Sequence, residues 1–104
     1  MNAERKIFAI QEIVRSWAGM SRDEFDARRN FPYSWPRSVA IYISRRLTGA
    51  PYTDIARAFG LKEHSAARYR VKTVEDDIET KPVDRQRVES LVQTIVEKLG
   101  KESK

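Results

Sequence analysis

Residues 52–74 read YTDIARAFGLKEHSAARYRVKTV and contain two helical patterns on either side of a glycine. In the first pattern, Ile55, Ala56 and Phe59 share one face at helical spacing. Gly60 follows at the position where a helix end favours a residue that tolerates a positive φ. The second pattern has one apolar stripe, formed by Ala67, Val71, Val74 and Ile78. A short helix that braces a longer one is the design of the helix-turn-helix.

The second of these helices is expected to begin between Lys62 and Ser65, and its other faces are basic. The side chains there are Lys62, His64, Arg68, Arg70 and Lys72. The stretch fits the commonest helix-turn-helix template only if the turn is one residue longer than usual. An ordinary helical hairpin with a solvated basic face explains the pattern equally well, so both interpretations stay open on this stretch alone.

Composition restricts the class of protein. A chain of 104 residues suffices for one domain with a modest core. The absence of cysteine excludes disulfides and cysteine-ligated zinc. No apolar run approaches the length of a membrane span, and the N-terminus lacks a secretory pattern, so no membrane partner and a cytoplasmic location are expected.

The positive charge is concentrated in the middle of the chain. Residues 35–72 contain eight Lys or Arg and two acids, a net charge of +6, whereas the whole chain has a net charge of +5. Residues 1–34 sum to +1 and residues 73–104 to −2. A cationic middle third indicates a polyanionic partner, with DNA or RNA favoured over a membrane surface.

Two helices are predicted near the N-terminus. Residues 3–17 form the first, with Asn2 as its N-cap. Ser21 and Glu24 have the spacing of a capping box, which predicts a short second helix to about residue 28. Four aromatic residues at helical spacing are predicted to lie in the core: Trp17, Phe25, Tyr42 and Phe59.

A loop and a third helix follow. Residues 29–34 are predicted to be a loop because Pro32 biases the preceding residue away from helix. Pro36 suits the first turn of a helix that runs through Thr48. Residues 49–51, Gly-Ala-Pro, separate this helix from the central stretch.

In the C-terminal third, the sequence predicts a linker at residues 79–82 and a last helix capped by Asp84. Gly100 is expected to end that helix, which gives a domain of residues 1–100 and a polar tail of residues 101–104. The apolar stripe of the last helix consists of Val88, Leu91, Val92, Ile95 and Leu99. Because every helix has one apolar face, the sequence predicts an all-α fold, a single small domain of about six helices around one core.

Three stretches together resemble the C-terminal DNA-binding domain (domain IV) of the bacterial replication initiator DnaA. They are VRSWAGMSRDEFDARR (14–29), PRSVAIYISRRLTG (36–49) and IARAFGLKEHSA (55–66). The second is close to the family's PRQIAMYLARELTG, and the third is similar to its I-G-x-A-F-G-G-R-D-H-T-T. The likeness extends over roughly residues 5–100. It implies a fold like that of the Trp repressor and DnaA domain IV, with a helix-turn-helix that binds double-stranded DNA.

The resemblance also implies which residues contact DNA. In the family, the second helix of the motif reads base edges in the major groove, and His64 falls on the family's base-reading histidine. Arg29 falls on the arginine that enters the minor groove, and Arg37 and Arg45 fall on basic residues beside the DNA. The expected DNA-binding residues are Arg29, Arg37, Arg45, Lys62, Glu63, His64, Ser65, Ala66, Arg68, Tyr69 and Lys72.

Several family positions differ in this chain. The family's Arg-Asp before the histidine is Lys62-Glu63 here, and its two threonines are Ser65 and Ala66. Glu63 keeps a carboxylate that can accept from a cytosine amino group, and Ala66 can still touch a thymine methyl group. Trp35 stands where the family has an arginine. These differences predict binding to a duplex, at a site other than the family's usual box.

Catalysis is not expected. The sequence has no G-x-x-x-x-G-K-[ST] motif, so these residues carry no ATP-driven initiator activity. His64 is the single histidine, and the acids near residue 24 are explained by helix capping, so no catalytic group, metal or cofactor is expected. The chain is either a stand-alone DNA-binding module or a fragment of a longer protein, and Met1 with the capped first helix favours the former.

Two functional hypotheses remain. The preferred one is a monomeric, nucleoid-associated domain that binds double-stranded DNA with sequence preference and regulates transcription or replication, with a protein of either process as a possible partner. The alternative is a protein-interaction module that keeps the fold but has lost specific DNA recognition, with the acidic C-terminal third and the apolar stripe of residues 88–99 serving a partner or a dimer. RNA has less support because a recognition helix suits the B-form major groove.

Overall fold

A computed structural model describes residues 2–26 and 31–102 of the chain. Six helices follow one another, and no strand occurs in these two ranges. The helices are α1 (Ala3–Trp17), α2 (Arg22–Asp26), α3 (Phe31–Thr48), α4 (Tyr52–Ala58), α5 (His64–Thr80) and α6 (Pro82–Glu102). The prediction of an all-α fold is confirmed.

α3 is the central helix of the fold and packs against α1, α2, α4 and α5. Its inward side chains are completely buried: Val39, Ala40, Ile41 and Ile43. α6 closes the other side of the core against α5 and α1. Its apolar stripe is buried, with Val88 and Ile95 at 0% exposure. The stripe of residues 88–99 is therefore part of the core, so it is not available as the docking surface that the alternative hypothesis gave it.

Both predicted caps at the N-terminal end of the chain are confirmed. The side-chain oxygen of Asn2 accepts a hydrogen bond from the backbone N–H of Arg5 at 2.9 Å. The Ser21 hydroxyl accepts from the Glu24 N–H at 3.1 Å, and the Glu24 carboxylate accepts from the Ser21 N–H at 3.0 Å. These two reciprocal hydrogen bonds give acceptors to backbone N–H groups at the start of α2 that would otherwise have no partner within the helix.

The predicted loop at residues 29–34 is wrong for residues 31–34, which form the first turn of α3. Pro32 does not prevent this because the first N–H groups of a helix have no partner within the helix, so proline loses no hydrogen bond there. The prediction that Pro36 lies in the first turn of this helix is also wrong, because α3 begins five residues earlier and Pro36 lies inside it. Residues 27–30 lie outside the described ranges.

The predicted linker at residues 79–82 is also wrong, because only Lys81 separates α5 from α6. Lys81 is extended, with φ −123° and ψ 101°, as a residue before proline prefers. Pro82 occupies the first position of α6, where its missing N–H has no effect, so Asp84 lies within the helix. α6 continues through Gly100 to Glu102 because one glycine weakens a helix by only about 1 kcal/mol.

Three of the four aromatic side chains predicted for the core pack there: Phe25, Tyr42 and Phe59. Trp17 does not, since it is the last residue of α1 and is 37% exposed. Its ring lies 6.3 Å from that of Trp35, and the guanidinium carbon of Arg87 lies 5.2 Å from both ring centroids. The two indoles and the arginine form a surface cluster that joins α1, α3 and α6.

Candidate nucleic-acid interface

The turn between α4 and α5 begins at the C-terminal end of α4, which two backbone hydrogen bonds close. Gly60 has φ 68°, and its N–H donates to the Arg57 carbonyl at 3.2 Å. The Leu61 N–H donates to the Ala56 carbonyl at 2.8 Å. This arrangement requires a left-handed residue at the position of Gly60, which confirms the role that the sequence predicted for it. Residues 59–63 then lead into α5, a connection longer than the roughly three to four residues of the usual motif.

The inner faces of α4 and α5 lie against each other and against α3. Ile55 and Ala56 of α4 are buried, as are Ala67, Val71 and Val74 of α5. Burial of each branched aliphatic side chain contributes roughly 1.5–3 kcal/mol, so this contact fixes the rotation of α5 about its own axis. The residues that project to the opposite side of α5 are thereby held in solvent.

The side of α5 opposite the core presents polar and cationic groups to solvent. We call it the α5 outer face and define it as His64, Ser65, Arg68, Tyr69 and Lys72, all of which are exposed. Their spacing of three and four residues places them on one side of the helix. Tyr69 is 71% exposed, which is unusual for a large aromatic residue in a small domain.

The start of α5 is also accessible. Lys62 and Glu63 are exposed, and Ala66 is partly exposed. Glu63 occupies the N-cap position without a side-chain cap bond, and its carboxylate accepts from the Ser65 hydroxyl at 3.3 Å. Residues 62–65 border a depression of about 470 Å³, which the α4 side chains Thr53 and Arg57 border on its other side.

Arg37 differs from the expectation of a surface contact with DNA. Its side chain is 5% exposed and donates a hydrogen bond to the backbone carbonyl of Phe59. A guanidinium that is buried and bonded to the protein's own backbone is not placed to reach a phosphate group. The charge of Arg37 is therefore part of the interior, at the C-terminal end of α4.

Two further arginines of the cationic middle third hold helices together. Arg70 donates to the Ser38 hydroxyl at 3.0 Å and thereby joins α5 to α3. Arg46 pairs with Glu89 of α6 at 2.8 Å, and this hydrogen bond raises the pKa of the Arg46 guanidinium. The net charge of residues 35–72 thus overstates the number of cations available to a ligand.

Arg45 and Arg68 meet at the ring of Tyr52. The guanidinium carbon of Arg45, on α3, lies 4.4 Å from the ring centroid, and that of Arg68, on α5, lies 5.3 Å away. Arg45 also donates to the Ala50 carbonyl at 2.6 Å. Sequence reasoning selected both arginines but missed Tyr52, because the three residues come from three separate helices and no spacing rule connects them.

Trp35 occupies the position at which the DnaA family has an arginine, and it makes an internal contact. Its indole N–H donates to the Asp77 carboxylate at 3.1 Å, which joins α3 to the second half of α5. Arg29, the residue expected to enter the minor groove, lies outside the described ranges, so its role stays a prediction.

The second half of α5 is acidic. Glu75, Asp76 and Glu79 are exposed, and Asp77 pairs with Lys81 at 3.2 Å. The cationic surface of α5 therefore ends at Lys72, so a polyanion is attracted to the first half of the helix and repelled by the second.

Within residues 2–26 and 31–102, no three side chains of the types that bind metal ions come together. None of the helices in this part of the chain has both the length and the apolar composition that crossing a bilayer requires.

An all-α core, a helix-turn-helix and a cationic, exposed first half of the second helix define a helix-turn-helix DNA-binding domain. The family model for the bacterial dnaA protein helix-turn-helix matches residues 7–74. This range covers more than half of the 104 residues and runs from α1 into α5. The chain belongs to this family, which confirms the resemblance seen in the sequence. α6 and the acidic end of α5 lie beyond the matched range.

Proposed function

We propose that this chain binds double-stranded DNA with a sequence preference, by placing the first half of α5 in the major groove, and that it regulates transcription or replication. The observation that carries the proposal is the α5 outer face. Its side chains are free of the core because the opposite stripe is buried, with Ala67 and Val74 at 0% exposure. A helix held in this way can enter a groove without any rearrangement of the fold.

Affinity in this proposal comes from cations that lie at or beside the α5 outer face. Lys62, Arg68 and Lys72 are exposed, and Arg45 lies at its edge beside Arg68. With Arg29 in the minor groove, about five cations contact phosphates, and log K should fall against log salt with a slope of roughly −4 to −5.

Specificity in this proposal comes from the start of α5. His64 and Ser65 offer hydrogen-bonding groups to base edges, and Glu63 offers a carboxylate to a cytosine amino group. Tyr69 lies one turn further along the same side, where its hydroxyl group can bond to a base or a phosphate. Ala66 supplies an apolar contact for a thymine methyl group. This combination differs from that of the resembling family members, so the preferred site should differ as well.

Selection of bound duplexes from a random pool tests the proposal. We expect an enriched sequence with several fixed positions, bound at least about 1,000-fold more tightly than random duplex at moderate salt. Binding with a steep salt dependence but without enrichment would remove the sequence preference. Failure to bind any duplex at low salt would leave the protein-interaction hypothesis in its place.

A further inference from the structure

We infer that Tyr52 is a positioning residue for DNA binding, because its ring holds Arg45 and Arg68 together as one phosphate-binding pair. The inference rests on the proposed function and adds to it a residue that does not itself touch DNA. It also joins two cations, from α3 and α5, that sequence analysis treated as independent.

The position of the Tyr52 ring is fixed by the fold. Tyr52 is the first residue of α4 and packs against the hydrophobic core. One guanidinium carbon lies 4.4 Å and the other 5.3 Å from its centroid, both within the roughly 6 Å at which a cation is attracted to an aromatic face. The hydrogen bond from Arg45 to the Ala50 carbonyl restricts Arg45 further.

This cluster carries two positive charges without an acid between them. Neither Arg45 nor Arg68 forms an ion pair with a carboxylate in the described part of the chain. The neighbouring Asp54 pairs with Arg57, at 3.7 Å. Two guanidinium groups at one ring repel each other, and an anion that contacts both relieves that repulsion. A phosphate group, which accepts several hydrogen bonds from arginine, has the matching chemistry.

The cluster lies where a DNA strand would pass. A helix with its side chains is about 10–12 Å wide and fills a major groove about 12 Å wide, so elements beside the helix meet the phosphates at the groove edge. Arg68 belongs to the α5 outer face, and Arg45 borders a depression between α3, the start of α4 and α5. Glu75 borders the same depression further along α5, so the phosphate should approach from the Arg68 side.

Positioning matters because a free arginine side chain loses up to about 2 kcal/mol of conformational entropy when it is immobilised. Stacking on Tyr52 orders both arginines before DNA arrives, so less entropy is lost on binding.

Tyr52→Leu removes the aromatic face, and Tyr52→Phe is the matched control that keeps it. We expect Tyr52→Leu to weaken binding to duplex DNA roughly three- to tenfold, from two cation–π contacts at a partly exposed site. The slope of log K against log salt should become shallower by about one unit. Tyr52→Phe should bind within about twofold of the wild type, with an unchanged slope. Circular dichroism and thermal unfolding report the folded fraction, for which each affinity is corrected.

A second measurement tests whether Tyr52 acts through the two arginines. In an Arg45→Ala/Arg68→Ala background, adding Tyr52→Leu should cause no further loss of affinity. A further loss in that background would overturn the inference, and so would a Tyr52→Phe variant as weak as Tyr52→Leu, which would indicate direct contact through the hydroxyl group. If the wild type binds duplex and Tyr52→Leu changes neither affinity nor slope, the inference alone fails. If the wild type binds no duplex, the proposed function fails as well.

Discussion

The guanidinium group of Arg37, on α3, donates a hydrogen bond to the backbone carbonyl of Phe59, the residue that caps the C-terminal end of α4. Carbonyls at a helix end lack partners within the helix, and a positive charge near them is favourable. Phe59 is itself buried and immediately precedes Gly60. This contact therefore ties the start of the helix-turn-helix turn to the central helix of the fold.

Replacement of Arg37 should affect folding before it affects DNA binding. Arg37→Ala removes a buried, charged hydrogen bond and should lower the free energy of unfolding by about 2–3 kcal/mol in urea denaturation. Arg57→Ala removes an exposed arginine of α4 and should change it by less than about 0.5 kcal/mol. If Arg37→Ala kept wild-type stability and reduced the salt slope of DNA binding, Arg37 would be a phosphate contact after all.

The capping box of α2 should contribute measurably to stability. Ser21→Ala removes the hydroxyl that accepts from the Glu24 N–H and should destabilise the domain by about 1 kcal/mol. Ser21→Asp retains an acceptor at the same position and should stay close to the wild type. Thermal and urea unfolding of the three proteins provide the comparison. Equal stability of Ser21→Ala and wild type would show that the cap is energetically neutral.

Acid should destabilise the domain through two carboxylates. A hydrogen bond from Arg15 lowers the pKa of Glu12, and a hydrogen bond from the Ser21 N–H lowers the pKa of Glu24, each from an ordinary value of 4.5. Because the folded pKa lies below the unfolded one, the stabilisation is fully present above pH 4.5 and is lost as the pH falls through the folded values. The melting temperature should be constant near neutral pH and should decrease as the pH falls below 4.5.

Glu12→Gln isolates the contribution of Glu12 to this pH dependence. The neutral amide keeps the shape of the side chain but cannot titrate. The variant should lose less melting temperature between pH 6 and about pH 3 than the wild type does. An identical pH profile for both proteins would show that Glu12 is not involved.

Periodicity predicted α1, α4 and the buried stripe of α5, because each is an amphipathic segment with a local signal at its ends. Boundaries next to proline were predicted less well. Pro36 lies inside α3, and Pro82 starts α6 directly after Lys81. Proline excludes certain hydrogen bonds but permits helical φ, so the sequence does not decide between a loop and a helix start.

Side-chain roles that depend on several helices could not be predicted from local patterns. The charge of Arg37 indicated a surface position, and only the packing of α3 against the end of α4 shows that it is buried. Trp17 has core-like spacing but ends its helix at the surface. No local sequence pattern indicated the contacts of Tyr52, because its two arginine partners come from α3 and α5. By contrast, the exposed side of α5 followed from its buried stripe alone.

His64 should contribute to sequence discrimination and not to general affinity. His64→Ala should weaken binding to the selected site by about 1–3 kcal/mol and leave binding to random duplex nearly unchanged. His64 is exposed, so the variant should fold as the wild type does. Equal losses on the two duplexes, measured at one salt concentration, would rule out base reading by this side chain.

The central claim is that the α5 outer face, and not positive charge in general, binds duplex DNA. Two triple variants remove the same charge from different surfaces. One replaces Arg68 and Lys72 of the α5 outer face and the adjacent Lys62 by glutamine. The other replaces the exposed Arg5, Arg85 and Lys98 of α1 and α6 by glutamine. The measurement is the affinity of each variant for the selected duplex across a salt series. We predict that the first variant loses about three units of salt slope and most of its affinity, whereas the second stays within a few-fold of the wild type. Equal losses in the two variants, or no loss in the first, would contradict the account.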